Sequence, residues 1–394
     1  MIKRRRRSPG EGSITQRKDG RFQGSVLLGY DPKTGKPKRK YVYGKTKKEV
    51  REKTNKLAVK VQAGTYREPS LITIEEWFIS WLNDYMKISL RPTTWDNYKC
   101  QVEGHIIPAL GRLKLSKLQT RHIQRLYNEK LKSGRLDSKP GGLSPKSIRL
   151  MHTVIHSCLE QARKEGIIMI NPASAVKLPK NKQRKIRYLD SEEIKIFLKA
   201  AQGSKHFAAF FLALNTGMRR GEILGLRWQD IDFKEETLTV KYGLVRVGGK
   251  GLVLQEPKTR LSNRTIGLSP TVIRVLKEHR KEQNEAKLSL GRAYNKDLDL
   301  VFPNEIGEPT CPRAFTRVFE RLLKRAGIRK ACFHDLRHTF ATMALEQGVN
   351  VKTVQEALGH HSAAFTMDVY ASTTDKMKRE AAEKVGGLLA SFIS

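Results

Sequence analysis

The residues best suited to chemistry in this sequence lie in one stretch near its C-terminal end. His334 and Arg337 are three residues apart, so a helix would place both side chains on one face. Gly359 is placed like a glycine that ends a helix, His360 follows it directly, and Tyr370 comes ten residues later. Histidines transfer protons near neutral pH, arginine forks bind phosphate oxygens, and a tyrosine phenolate can act as a nucleophile.

Two predicted helices would position these side chains. Leu336, Phe340 and Met343 follow the i, i+4, i+7 spacing of an apolar face, which predicts a helix anchored in a core. Gly348 interrupts that pattern, and the apolar positions from Val351 to Leu358 predict a second, shorter helix.

Four short segments together resemble the motifs of a known family. Residues 216–222 read TGMRRGE, residues 257–259 read PKT, HDLR follows at 334–337, and LGH at 358–360 precedes a tyrosine by ten residues. In this order and spacing they resemble the tyrosine recombinases, the phage-type integrase family, over residues 186–375. One such segment alone would be weak evidence, whereas four in order are specific.

The resemblance implies a catalytic set of six residues, comprising Arg219, Lys258, His334, Arg337, His360 and Tyr370. Tyr370 would attack a DNA phosphate to give a 3′-phosphotyrosine and a free 5′-hydroxyl. A 5′-hydroxyl from a second duplex would then displace the tyrosine, so the phosphodiester energy is kept and no ATP is needed. The implied outcome is integration or excision of a mobile element, either a phage or an integrative conjugative element.

The other members of the set have distinct expected roles. Arg219 and Arg337 would meet the extra charge on the nonbridging oxygens with permanently ionised forks. His334 and His360 would donate hydrogen bonds or move protons, and Lys258 would protonate the leaving 5′-oxygen.

Two neighbouring residues leave alternatives open. Arg220 could take the place assigned to Arg219, and His361 the place assigned to His360, although alignment to the motifs favours the first of each pair. Glu222 lies three residues after Arg219, which predicts a supporting ion pair between them.

The charge of the chain indicates a polyanionic partner. Its 394 residues include 76 Lys and Arg against 39 Asp and Glu, a formal net charge of +37. An enzyme of small neutral substrates has no need of such a field, so double-stranded DNA is the expected partner, with binding that weakens as salt rises. No run of 18 apolar residues is present, so no membrane span is expected.

No cofactor or metal site is expected. The four cysteines are scattered without a CxxC pair, which disfavours zinc and disulfide frameworks and favours reduced thiols in a cytosol. The resemblance to integrases implies that this is the cytoplasm of a bacterial host, in association with the nucleoid. His152 and His156 have an i, i+4 spacing that could bind a metal, but no third ligand is in view. The arginines would supply the positive charge that Mg²⁺ supplies in other phosphate-transfer enzymes.

Residues 1–66 predict a small DNA-binding domain. The pattern over 13–65 predicts a three-stranded sheet and one helix, with Thr46 as the helix N-cap. Residues 1–66 carry 20 Lys or Arg and 5 Asp or Glu, a difference of +15. This segment resembles the arm-DNA-binding domain of some integrases, which places strands in the major groove. The alternative is a tail that raises only nonspecific affinity.

Residues 72–172 predict an all-α domain. Trp77, Trp81 and Tyr85 lie at i, i+4 and i+8, which predicts a buried aromatic face, and Pro108 is expected to break the second helix. This basic helical unit resembles the core-binding domain of the family.

The remaining chain predicts a linker and a catalytic domain. Residues 173–187 are rich in Lys and Arg and read as an extended linker. Residues 188–394 read as mainly helical, with one small antiparallel sheet built from three candidate strands, at 237–242, 251–255 and 264–268. Lys258 would sit in the turn between the last two strands, and residues 374–394 predict an amphipathic C-terminal helix.

Two rival functions fit parts of this pattern. A DNA-binding architectural protein could carry an idle recombinase fold, but the complete set of six residues argues against it. A type IB topoisomerase shares the chemistry without partner exchange, but binding to arm sites as well as core sites suits a synaptic complex. The resemblance further implies a homotetramer on core and arm att sites, with an excisionase and a host DNA-bending protein as additional partners.

Overall fold

The computed structural model describes residues 14–31, 34–63, 71–137, 139–181, 187–256, 263–359, 382–383, 385–387 and 389–392. The chain divides into two compact units at about residue 180, and the segment Leu90–Asn97 groups with the second unit.

The first unit begins with a three-stranded antiparallel sheet in the order β1-β2-β3. Its strands are β1 (Ile14–Gln16), β2 (Phe22–Tyr30) and β3 (Pro37–Gly44), and helix α1 (Lys47–Gln62) follows them. The Thr46 side chain caps α1 by accepting a hydrogen bond from the backbone N–H of Glu49. The predicted sheet and helix are therefore confirmed.

Helix α1 packs against one face of this sheet. Val50 and Thr54 are buried there, and a Cβ placed on Gly24 of β2 would lie only 2.6 Å from Thr54 Oγ1. Tyr30, Tyr41 and other side chains of β2 and β3 remain exposed. The sheet thus has one packed face and one open, aromatic and basic face.

The described helices that follow along the chain are α2 (Ile74–Ser80), α3 (Lys87–Ser89), α4 (Pro92–Gln101), α5 (Ile107–Leu110), α6 (Thr120–Lys132) and α7 (Pro145–Lys164). Most of α4 lies in the segment that groups with the second unit, and the other five belong to the first unit. Two π-helical segments, Trp81–Met86 and Val102–Ile106, join α2 to α3 and α4 to α5. The prediction of a mainly helical unit is confirmed.

The π-helical segments correct two local predictions. Trp77 and Trp81 are buried, but Tyr85 is 38% exposed, because the wider π turn moves the i+8 position off the buried face. The predicted break at Pro108 is also wrong. Pro108 lies in the first turn of α5, directly after a π-helical segment, where a missing backbone N–H is tolerated.

The second unit is mainly helical. Its helices are α8 (Ser191–Ala201), α9 (Phe207–Thr216), α10 (Arg220–Leu224), α11 (Pro270–Leu290), α12 (Pro312–Arg325), α13 (Phe333–Glu346) and α14 (Val351–Leu358). Its strands are β4 (Ile231–Asp232), β5 (Thr237–Val240), β6 (Gly243–Val247), β7 (Gly251–Gln255) and β8 (Arg264–Gly267). The predicted class, mainly helical with antiparallel strands, is confirmed.

In the described part of this unit, the strands form two antiparallel sheets instead of one. β4, β5 and β8 make a three-stranded sheet in that order, while β6 and β7 pair as a separate hairpin. The prediction that 251–255 and 264–268 share a sheet is therefore wrong. The β6 strand was not anticipated, and it takes β7 as its partner because the two follow each other across a short turn.

A cluster of phenylalanine rings anchors the start of α13. The Phe333 ring lies 5.1 Å from Phe315, 5.7 Å from Phe319 and 6.3 Å from Phe210, measured between ring centroids. Burying these rings fixes the first turn of α13, and with it the residues that follow Phe333.

Among the described residues, no helix is long and apolar enough to cross a membrane. The helix predicted over 374–394 lies mostly outside them, and its described parts, 382–383, 385–387 and 389–392, are helical.

Candidate active site

Arg219 lies at the junction between α9 and α10. Helix α9 ends at Gly217, whose φ of 61° is left-handed, and Arg219 is the N-cap residue of α10. Its guanidinium Nη1 lies 2.7 Å from Glu222 Oε1, and its backbone N–H donates to Glu222 Oε2 at 2.9 Å. The predicted ion pair is therefore present, and it holds a half-exposed arginine at the end of a turn.

Arg220 points elsewhere. Its Nη1 donates to Thr316 Oγ1 of α12 at 2.8 Å. Of the two neighbouring arginines, Arg219 is the one that faces the α14 turn, as the motif alignment predicts.

Arg337 is buried, with 2% of its surface exposed. Its Nη1 donates to the Gly217 carbonyl at 2.9 Å, and its Nη2 donates to the Leu358 carbonyl at 2.6 Å. Both carbonyls lie at helix C-terminal ends, where the last carbonyls lack helical partners and carry partial negative charge. One arginine thus ties the end of α9 to the end of α14.

Three arginines contact three consecutive carbonyls at the end of α14. Arg264 Nε donates to Ala357 O at 2.5 Å, Arg337 Nη2 to Leu358 O at 2.6 Å, and Arg219 Nη2 to Gly359 O at 3.4 Å. Gly359 ends the helix with a φ of 63°, as its predicted C-cap role requires. The backbone that leads into His360 is therefore held by permanently charged donors.

Arg264, on β8, is the member of this group that sequence analysis missed. Its Nη2 lies 2.8 Å from Glu222 Oε2, and both side chains are buried. Burial alone would raise the pKa of Glu222, but Arg264 and then Arg219 outweigh it and hold that pKa below its ordinary value. One feature of the sequence could have pointed to Arg264. It is a charged residue at the first position of a short predicted strand whose other residues suit a core.

His334 lies in the first turn of α13, with its ring centroid 4.9 Å from that of His338. The side chain reaches solvent, yet the surrounding protein desolvates it, and the charges of His338, Arg337 and Arg219 act in the same direction. Together they lower the pKa of His334 to about 4. The imidazole is thus neutral at pH 7 and stands within the field of both arginines.

The structure therefore brings Arg219 and Arg337 together at the end of α14, and it places His334 where both of their charges act on it. Lys258, His360 and Tyr370 lie outside the described residues. His361 also lies outside the described residues, so the choice between His360 and His361 stays a prediction.

The histidine pair of the first unit is engaged in hydrogen bonds. His152 Nδ1 lies 3.2 Å from the Tyr127 hydroxyl, and His156 Nε2 lies 3.3 Å from Ser174 Oγ. Within the described parts of the chain, no three His, Cys, Asp or Glu side chains are grouped so as to hold a metal ion.

Two family models match the sequence. Residues 187–377 match the model described as "Phage integrase family", and residues 73–131 match "Phage integrase, N-terminal SAM-like domain". The first match contains all of the motif segments, and the second spans helices α2 to α6.

Full-length relatives are also similar. A "Tyrosine recombinase XerC-like" protein of Caldanaerobacter subterraneus subsp. tengcongensis is 33% identical over 384 residues, covering 93% of this chain and 96% of the relative. The ICEBs1 integrase of Bacillus subtilis is 26% identical over 379 residues, covering 96% of this chain and all of the relative.

Solved structures share the fold. The Tn1549 transposon integrase in complex with a circular intermediate DNA has a TM-score of 0.64 at 20% identity, covering 78% of this chain and 99% of that chain. A lambda integrase dimer bound to a core site has a TM-score of 0.53 at 20% identity, covering 94% of this chain and 96% of that chain.

Proposed function

Because this chain belongs to the phage integrase family of tyrosine recombinases, we propose that it is a site-specific integrase that moves a mobile element into and out of DNA. Family membership confirms the resemblance inferred from the motifs. The observation that carries the proposal is that Arg219 and Arg337 both contact the backbone turn that precedes His360, while His334 lies within the electrostatic field of both arginines. Two arginines near a neutral imidazole suit a phosphodiester in a reaction whose transition state gains negative charge.

In the proposed reaction, the Tyr370 hydroxyl passes its proton to a neutral histidine, His334 or His360, and the Tyr370 oxygen bonds to the phosphorus as the bond to the 5′-oxygen breaks. Lys258 donates the proton that the leaving 5′-oxygen needs. A 5′-hydroxyl from another strand then attacks the phosphotyrosine, which restores a phosphodiester and releases the tyrosine. The two steps balance without ATP and without a redox change.

Arg219, Arg337 and His334 would stabilise the negative charge of a bound phosphate in different ways. The Arg219 side chain is 39% exposed, so it can meet a nonbridging oxygen directly. Arg337 adds charge from a buried position, and its hydrogen bond to the Leu358 carbonyl keeps the turn in place. A neutral His334 can donate a hydrogen bond, and a bound phosphate would raise its pKa toward the ordinary value.

The proposed domain limits assign DNA binding to two segments besides the catalytic one. Residues 1–66 would bind arm sites through the open face of the sheet, where Tyr41 and Tyr43 are exposed and Arg17 lies 5.3 Å from the Tyr43 ring centre. Residues 72–172 would bind the core site. Residues 173–187 would link these segments to the catalytic domain at 188–394.

The active assembly in this proposal is a homotetramer on DNA. A lambda integrase of similar fold has been solved as a tetramer bound to a Holliday junction, which supports the same stoichiometry here. An excisionase and a host DNA-bending protein complete the proposed set of partners, and the proposed location is the bacterial cytoplasm.

The test is covalent trapping on a nicked suicide duplex that carries the element's core site. We expect an SDS-stable protein–DNA adduct from the native chain and none from Tyr370→Phe, which keeps the ring and removes the nucleophilic oxygen. An adduct from the variant would refute the assignment of Tyr370. Joined products between two different duplexes would separate an integrase from a topoisomerase, which only relaxes supercoils.

A further inference from the structure

Arg264 connects two parts of the site that are far apart in sequence. It lies on β8, and its guanidinium contacts both Glu222 of α10, at 2.8 Å, and the Ala357 carbonyl of α14, at 2.5 Å. An arginine has five donors in a fixed planar arrangement, so a single side chain can serve two such acceptors at once.

The packing around Arg264 leaves little freedom. A Cβ placed on Gly359 would lie 3.2 Å from Arg264 Nη1 and 3.4 Å from its Cδ. The glycine turn at the end of α14 therefore rests directly on the arginine side chain, and a shift of either would displace the other.

The Glu222 carboxylate connects Arg264 to Arg219, so the position of Arg264 also restrains the Arg219 side chain. Its Oε2 contacts Arg264 and the backbone N–H of Arg219, while its Oε1 contacts the Arg219 guanidinium. Arg264 thus reaches the reacting face of the site through one intervening residue.

Stability alone is a weak reason for this arrangement. Burying an ion pair costs desolvation that roughly offsets the attraction, so an apolar pair of similar volume would often serve a core equally well. The geometry, in contrast, has a clear consequence. It orients Arg219, a proposed phosphate ligand, and the 357–359 turn, which precedes the proposed catalytic residue His360.

We propose that Arg264 is a positioning residue for strand cleavage, which sets the Arg219 side chain through Glu222 and the 357–359 backbone by direct contact. This inference rests on the proposed recombinase function. Arg264 does not touch the scissile phosphate in this proposal, so its effect is on geometry and not on DNA affinity.

The experiment compares three variants of the full-length chain. Arg264→Met removes both contacts, and Arg264→Lys keeps the charge beside Glu222 without a fork that spans both acceptors. Arg227→Met is the matched control, because Arg227 also pairs with a buried carboxylate, Asp230 at 3.5 Å, but lies over the Tyr242 ring, 4.3 Å from its centre.

Single-turnover cleavage of the suicide duplex, DNA affinity and thermal midpoint are measured for each variant. We expect Arg264→Met and Arg264→Lys to cleave roughly 10- to 100-fold more slowly than the native chain, as misplacement of a catalytic group predicts. DNA affinity should stay within about twofold, since no phosphate contact is lost. The lysine variant should regain the thermal midpoint without regaining the rate.

Two outcomes would overturn the inference. If Arg264→Lys recovers rate and thermal midpoint together, Arg264 only neutralises Glu222. If Arg227→Met slows cleavage as much as Arg264→Met does, the effect is a general loss of stability.

Hydrogen exchange gives a readout that does not depend on catalysis. Arg264→Met should speed exchange at the C-terminal amides of α14, relative to Arg227→Met, and unchanged exchange there would contradict the positional claim. If the native chain forms no adduct while exchange responds as expected, the proposed function fails and the positional claim stands.

Discussion

Gly217 lies directly against the ring of Phe340. A Cβ built on Gly217 would be 2.5 Å from Phe340 Cδ1 and 2.7 Å from Leu358 Cδ2, and its φ of +61° is left-handed. The glycine of the TGMR segment therefore lets α9 end close to α13 and α14, so that its carbonyl can accept the Arg337 hydrogen bond.

Gly217→Ala should destabilise the protein and disturb the site. Left-handed strain together with overpacking predicts a loss of about 2–4 kcal/mol in the free energy of unfolding. Urea unfolding measures the loss, and Gly203→Ala is the control, because Gly203 has a similar φ of +75° with open space around its Cβ position. The control should lose only about 1 kcal/mol, the cost of strain alone. Equal losses in the two variants would mean that the close packing costs nothing.

The two arginines should separate catalysis from stability. Arg219→Ala removes a half-exposed side chain, so we expect cleavage to fall about 10²–10³-fold while unfolding changes by about 1 kcal/mol or less. Arg337→Ala should reduce both the cleavage rate and the free energy of unfolding. The carbonyls of Gly217 and Leu358 would lose their hydrogen bonds, which costs roughly 1–3 kcal/mol of stability each. Urea unfolding and single-turnover cleavage together distinguish the two residues. Identical stability of the two variants would contradict this division.

The role of Lys258 can be tested by changing the leaving group of the DNA substrate. If it is the general acid, Lys258→Ala should slow cleavage about 10²–10⁴-fold. A substrate with sulfur at the bridging 5′ position should restore the rate, because a thiol with a pKa of about 8.5 leaves as the thiolate without a donated proton. Arg219→Ala should show no such rescue. Persistent slowness of Lys258→Ala on the sulfur substrate would assign the acid to another residue, with His334 and His360 as the next candidates.

His206 should make stability depend on pH. It is buried against Phe315 and Phe210, and burial first, then the charge of Lys205, lowers its pKa from 6.5 to about 4. Between these values the unfolded chain binds a proton that the folded chain does not, so stability falls as pH falls through this window. The loss from this residue is at most about 3 kcal/mol. Urea unfolding at pH 7 and pH 4.5 should show a smaller difference for His206→Phe than for the native chain.

The N-terminal sheet can be tested by deletion. Removal of residues 1–66 should abolish protection of distal arm sites and leave core-site protection and cleavage intact. Footprinting of both forms on the same DNA measures this directly. An unchanged footprint would reduce the segment to a source of nonspecific affinity.

The sequence by itself determined the local features of this protein. Helix caps such as Thr46, Thr73 and Asp190 are satisfied by side chains within three residues, so they could be predicted without knowledge of the fold. The same holds for α14 and its terminal Gly359, and for the Arg219–Glu222 pair, because each depends on neighbours within one or two turns.

Only the tertiary structure decided which distant residues meet. Arg264 reaches Ala357 from 93 positions away, and Arg337 reaches Gly217 from 120 positions away. Neither contact leaves a periodic pattern in the sequence, because it depends on how β8, α9, α13 and α14 pack. The division of the strands into two sheets and the exposure of Tyr85 were settled in the same way, since strand partners and π turns follow from packing and not from local propensity.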